Sequence, residues 1–249
     1  MIDPAALTRV QRLALRAAGC GPILDYLDRG TDALADTAAF CRAMGVAYNI
    51  HSEIEWLEAP VGPVTGTVFC CNHPTGASDF IAAYGRLAAT VGPMLVPMHP
   101  SLCEVPPLGA VGLPTWPPSF RTRNTATAAR LVAHLRAGGN ALVFPSGKVG
   151  SLVGGRVVDA PWRPGLGGVI EASGAAAVPV WIDARNSRAF YSVRKRVRRL
   201  ALPIVLFEQL RSRRSDVRLV VGRRMVGAGL AAVRQACDAL ANEHARGSR

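Results

Sequence analysis

Thr65-Gly66-Thr67-Val68-Phe69-Cys70-Cys71 runs directly into Asn72-His73-Pro74-Thr75-Gly76-Ala77-Ser78-Asp79. The first seven residues read as a strand buried on both faces, because the apolar run from Val68 has no polar alternation. The next eight read as a loop punctuated by Pro74 and Gly76, and a helix follows to about residue 89. A buried strand that turns through a short loop into a helix is the building unit of α/β architecture.

The same alternation continues in both directions. Towards the N-terminus, residues 5–18, 23–28 and 33–44 read as helical, and residues 47–57 as a strand. Towards the C-terminus, the expected strands are Met94–Met98 and residues 141–144, 176–182 and 217–221. The expected helices are residues 125–137, 165–172, 192–212 and 230–244. Residues 100–118 are Pro-rich and read as irregular. No repeat or long linker appears. The expected fold class is therefore α/β, a single domain with a mixed, mainly parallel sheet flanked by helices. Residues 1–249 form that one domain: N-terminal helices over 1–45, an α/β core over 46–225 and a C-terminal helix over 226–249.

Composition excludes several classes. The 249 residues are 49% hydrophobic, too apolar for a disordered chain. No run of 18 apolar residues exists and the N-terminus lacks a secretion signal, so the expected location is cytoplasmic. None of the six cysteines forms a Cys-x-x-Cys pair, so reduced, buried thiols are expected and no metal site. Cys70 and Cys71 adjoin His73, but a buried structural role is the expected one.

Charge is uneven. Residues 1–182 are nearly neutral, whereas residues 183–249 hold 16 basic and 5 acidic residues. Arg194, Lys195, Arg196, Arg198 and Arg199 alternate with apolar residues, which reads as a helix with a basic face, kinked near Pro203. Such a surface suits an anionic membrane, an acidic protein or nucleic acid. No nucleic-acid-binding pattern accompanies it, and no nucleic-acid partner is expected.

Two strand-to-loop junctions carry chemistry. His73 follows a buried strand, where α/β sheets place their ligands. Asp79 lies six residues on, too far to share a helix face with it, but a loop folding back would let the two meet. The carboxylate would then fix the imidazole tautomer and leave the other ring nitrogen as a base. A structural histidine beside a helix-capping aspartate is the plainer alternative. The second junction is Phe144-Pro145-Ser146-Gly147-Lys148, a turn whose amides and lysine could face an anion. It lacks the glycine and hydroxyl positions of a nucleotide-binding loop, and no Gly-x-Ser-x-Gly elbow exists.

Taken in order, these junctions resemble the glycerophospholipid acyltransferase superfamily. Asn72-His73-Pro74-x-Gly76-x-x-Asp79 resembles its His–Asp motif, in the His-x5-Asp form of the hemolysin-like and ornithine-lipid acyltransferase branch. Phe144-Pro145-Ser146-Gly147 resembles its Phe-Pro-x-Gly block. Val178-Pro179-Val180-Trp181-Ile182, with Asn186, Ser187 and Phe190, resembles a later block, and Glu208 also fits that branch.

The resemblance implies acyl transfer from a thioester, acyl-CoA or acyl-carrier protein, to an amine or hydroxyl. His73 would be the general base and Asp79 its orienting partner, with no cofactor beyond the donor. Asn72, Gly76, Arg121, Arg123, Pro145, Ser146, Gly147 and Lys148 would bind acceptor or donor. The basic C-terminal third would dock an acidic carrier protein or an anionic membrane surface, peripherally on the inner face of the cell membrane. Lys148 and Ser146 stand where the family usually has an acid, so the turn is expected to lack a carboxylate and to suit an anionic or specialised acceptor. An ordinary 1-acylglycerol-3-phosphate acyltransferase and a non-catalytic lipid- or carrier-protein-binding module are the alternatives.

Overall fold

The computed structural model describes residues 8–29, 36–117, 119–196 and 214–247. Among these residues nine strands form: β1 (Ile50–Trp56), β2 (Thr67–Cys71), β3 (Met94–Met98), β4 (Gly112–Pro114), β5 (Asn140–Val143), β6 (Ser151–Val153), β7 (Arg156–Val158), β8 (Ala176–Asp183) and β9 (Ser215–Val221). The helices are α1 (Arg9–Leu15), α2 (Gly21–Leu27), α3 (Thr37–Ala47), α4 (Ala77–Val91), the single turns α5 (Pro100–Cys103) and α6 (Pro106–Gly109), α7 (Arg121–Arg136), α8 (Gly165–Ser173), α9 (Arg188–Arg196) and α10 (Leu230–Gly247). The Arg194–Arg199 cluster lies largely outside the described residues, and so do Pro203 and Glu208.

Seven strands make one sheet in the order β1-β9-β8-β2-β5-β3-β4. Every pairing in it is parallel except β8 with β9, so β1 and β9 run opposite to the rest. β2 sits at the centre, and all five of its residues are buried. The physical reason is visible in its alternation. Phe69 and Cys71 face one layer, with Tyr26, Phe40, Ile81, Tyr84 and Leu87 from α2, α3 and α4. Val68 and Cys70 face the other, with Leu131, Leu135, Leu166, Ile170 and Val233 from α7, α8 and α10. A strand covered by helices on both sides has no face left to be polar.

Three differences from the sequence reading have local causes. The first helical segment is joined to the second through a wide turn, Arg16–Cys20, with Gly19 at φ 89. Only glycine takes that conformation without strain. The Pro-rich stretch holds β4, a three-residue edge strand beside β3. After the second junction, β6 and β7 form a hairpin turned by Gly154 (φ 55) and Gly155 (φ 81), the paired positive φ of a tight hairpin. Strands this short give too little period to read.

The order β8-β2-β5 decides where the motifs meet. These three neighbouring strands run in parallel, so the loops after Cys71, Val143 and Asp183 emerge side by side at one edge.

Candidate active site

At that edge, His73 Nδ1 lies 2.9 Å from Asp79 Oδ2. Gly76 makes this possible. At φ 108 it turns the loop back on itself just before α4, so that Asp79 in the first helical turn reaches the imidazole. Asp79 is fully buried, whereas the His73 side chain is 19% exposed. The Asp79 carboxylate also accepts from the backbone amides of Thr75 (2.8 Å) and Gly76 (2.9 Å) and from the Thr75 hydroxyl. Four donors thus converge on one buried anion, the kind of satisfaction a buried charge requires. An ionised carboxylate only accepts, so the proton of the imidazole sits on Nδ1 and Nε2 is left with its lone pair.

The loop that carries His73 is held at three successive carbonyls. Gly150 N donates to His73 O (2.7 Å), the Tyr191 hydroxyl to Pro74 O (3.0 Å) and Asn186 Nδ2 to Thr75 O (2.9 Å). The Asn186–Phe190 block therefore positions the histidine loop. Tyr191, beside that block, has a positioning part that sequence reasoning did not assign. Only its neighbour Phe190 gave a signal, and the contact spans 117 residues. The Phe144 ring packs on the imidazole with centroids 4.4 Å apart, which brings the second junction against the first.

The remaining expected residues divide. The Asn72 side chain is spent on the backbone of Ile182, accepting from its amide (2.6 Å) and donating to its carbonyl (3.0 Å). It extends the β2–β8 pairing by one side chain instead of facing a substrate. Gly76 serves the Asp79 cap. Ser146 is buried and its hydroxyl donates to Lys148 O (2.8 Å), so it braces the turn from inside. The Pro145 carbonyl is taken by Arg163 N (3.0 Å). Gly147, at φ 58, and Lys148 are exposed on the outer side of the turn. Arg121 and Arg123 are exposed at the start of α7, which follows β4. At about 4.8 Å per strand, β4 lies roughly 14 Å across the sheet from β2. The Arg123 guanidinium stacks on Trp116 and Phe120. Among the described residues no hydrogen bond or ion pair joins either arginine to the histidine loop.

The turn itself carries no carboxylate, but another segment supplies one beside it. Asp159, from the loop after β7, brings one close to Ser146. Its side chain is only 6% exposed. Oδ2 accepts from Trp162 Nε1 (2.9 Å) and faces Arg234 Nη1 (3.6 Å), while Oδ1 is buried with no hydrogen-bond partner among the described residues. Burial pushes the Asp159 carboxyl above its ordinary 3.8, against the opposing pull of Trp162, Ser146, Arg234 and His73. The folded protein therefore keeps a proton that the unfolded chain releases, and stability falls as pH rises from 3.8 through the raised value. Asp159→Asn removes this loss. The variant should gain melting temperature relative to the parent between pH 4 and pH 8. A relative loss over that interval would show that the Arg234 contact outweighs burial.

The cysteines beside the site are structural. Cys70 and Cys71 are fully buried, and burial drives both thiols far above their usual range. Cys237, behind them, is pushed up to about 12. None is a thiolate near neutral pH, as a nucleophile must be.

A family model described as acyltransferase matches residues 31–213, which contain the whole His73–Asp79 loop and the Phe144–Lys148 turn. The chain belongs to this acyltransferase family. The acyltransferase also shares its fold with the 1-acyl-sn-glycerophosphate (LPA) acyltransferase PlsC from Thermotoga maritima. The two superpose with a TM-score of 0.56 at 13% identity, over 96% of this chain and 97% of that one. At that identity the likeness is one of fold. No curated protein matches the acyltransferase in sequence. Among its described residues no helix is long and apolar enough to cross a membrane.

Proposed function

We propose that the acyltransferase moves a fatty acyl group from a thioester, acyl-carrier protein or acyl-CoA, to a hydroxyl or amine, with His73 as general base. The observation that carries this reading is the 2.9 Å contact between His73 Nδ1 and the buried, fully hydrogen-bonded Asp79. Nε2 takes the proton of the acceptor as its oxygen or nitrogen attacks the thioester carbonyl. The tetrahedral intermediate collapses, the C–S bond breaks and the thiol leaves with the proton from His73. Asp79 holds the tautomer throughout and stabilises the imidazolium.

Among the described residues the amide of Ser146 donates to nothing, and the turn it belongs to packs against the histidine loop. It is our candidate donor to the carbonyl oxygen as negative charge develops there. No metal or redox group is needed for these steps. We assign the chain to the His-x5-Asp branch on the spacing of His73 and Asp79. The basic C-terminal third would hold an acidic carrier protein or an anionic lipid surface on the cytoplasmic face, and either contact should weaken with salt. Transfer to 1-acylglycerol 3-phosphate is the second reading, favoured by the PlsC-like fold and the cationic rim of the turn. A pure binding module would have no use for so completely satisfied a His–Asp pair.

The test is mass-spectrometric detection of acyl transfer. Acyl-CoA and acyl-carrier protein are offered against lysophosphatidic acid, ornithine-type amines and a small-metabolite pool. A product that requires His73 supports the reading. Saturable carrier-protein binding without any product overturns it in favour of the module.

A further inference from the structure

The loop after β7 delivers a second side chain to the Phe144–Lys148 turn. Arg163 N bonds to Pro145 O, which lays this residue along the turn. Its guanidinium then lies against Gly147. A Cβ placed there would sit 3.0 Å from Arg163 Cζ and 3.3 Å from both Nε and Nη2. The side chain is partly buried, yet among the described residues it makes no ion pair and no side-chain hydrogen bond. The nearest carboxylate in sequence, Asp159, meets Trp162 and Arg234 through Oδ2 and forms no ion pair with Arg163. Arg234, the other arginine against this loop, is satisfied: it chelates Asp238 and reaches Ala160 O. Arg163 is thus a planar, permanently charged fork, held in place by its own backbone and left without an anion. It shares the solvent-facing side of the turn with Lys148, whose exposed ammonium makes no hydrogen bond or ion pair among the described residues.

We propose that Arg163 is the specificity-determining residue of the acceptor site. It binds a phosphate or carboxylate group of the acceptor against the Gly147 turn, with Lys148 as an auxiliary charge. This rests on the acyl-transfer reading above and names the acceptor as an anion. A guanidinium suits this task because its paired N–H groups match two oxygens of one phosphate or carboxylate. Gly147 is needed because any side chain there would occupy the space of the guanidinium and would also be strained at its positive φ. Such a pairing contributes about tenfold or more in affinity.

The experiment measures binding of three lipids with one acyl chain, in neutral detergent micelles: 1-oleoylglycerol 3-phosphate, N-oleoylglycine and 1-oleoylglycerol. The full chain should bind at least one of the two anions about tenfold or more tighter than the neutral lipid. The first two lipids tell phosphate from carboxylate. Arg163→Gln should abolish that preference without changing the binding of 1-oleoylglycerol, and Arg163→Lys should restore part of it. Lys148→Gln should weaken it less. Absence of any anion preference in the parent protein overturns the proposal. So does a preference that survives Arg163→Gln, or an equal loss of all three lipids with a lowered melting temperature, which would mark a structural brace. Coenzyme A is titrated in parallel. If Arg163→Gln weakens coenzyme A and spares the lipids, the anion is the phosphate of the donor and the acceptor assignment fails. These readouts need no turnover, so an active His73→Ala would sink the general-base reading and leave this one standing.

Discussion

His73→Ala should lower acyl transfer by about 10²–10⁴-fold, the usual worth of a positioned general base, while the protein still folds. Part of the His73 side chain reaches solvent, and the loop around it is fixed by its backbone carbonyls. Truncation therefore removes the base without removing the scaffold. Among the described residues the imidazole meets the Asp79 carboxylate and the Phe144 ring. Turnover at saturating donor, set beside thermal unfolding of both proteins, checks the expectation. A variant that keeps more than a tenth of the activity would exclude His73 as the base.

Asp79→Asn should be damaging in two ways at once. The amide group would present an NH₂ to donors that now face oxygens. Thr75 N, Gly76 N, the Thr75 hydroxyl and His73 Nδ1 all point at this carboxylate, in a position with no water access. Leaving even one or two of them unsatisfied costs about 2–4 kcal/mol, read as a lower urea midpoint at unchanged slope. The imidazole would also lose the acceptor that keeps its proton on Nδ1. Activity per folded molecule should then fall at least about 10²-fold. A variant with parental stability and activity would mean that the carboxylate organises nothing. Substitution of His73 should cost mostly rate, and substitution of Asp79 both rate and stability. The contrast follows from one side chain being partly exposed and the other fully enclosed.

The same enclosure explains why the loop is a good place for a base. Its three carbonyl restraints come from two segments far apart in the chain: Gly150 ahead of the hairpin, and Asn186 with Tyr191 at the start of α9. These restraints hold the imidazole through its backbone and, among the described residues, leave Nε2 without a hydrogen bond. Tightly packed support of this kind is what keeps a catalytic group near its productive geometry.

The sequence by itself determined the α/β class, the central strand, the loop with His73 and the helix with Asp79. It also determined the turn after Phe144. Each of these is written in local signals: an unbroken apolar run and breakers at Pro74 and Gly76. It could not determine the order β8-β2-β5, the reversal of β1 and β9, or the short hairpin and edge strand. Strand order and register are fixed by which buried faces fit together, and residues with the same periodicity could pair in many orders. The finer site followed from that order. Asn72 meets Ile182 across 110 positions of chain, and this pairing occupies its side chain. Asp159 and Arg163 reach the turn from a loop that carries no motif of its own. Local pattern therefore named the histidine and the aspartate that the fold brings together. Only the tertiary structure decided which charges stand around them, because a side chain meets its neighbours through the sheet and not along the chain.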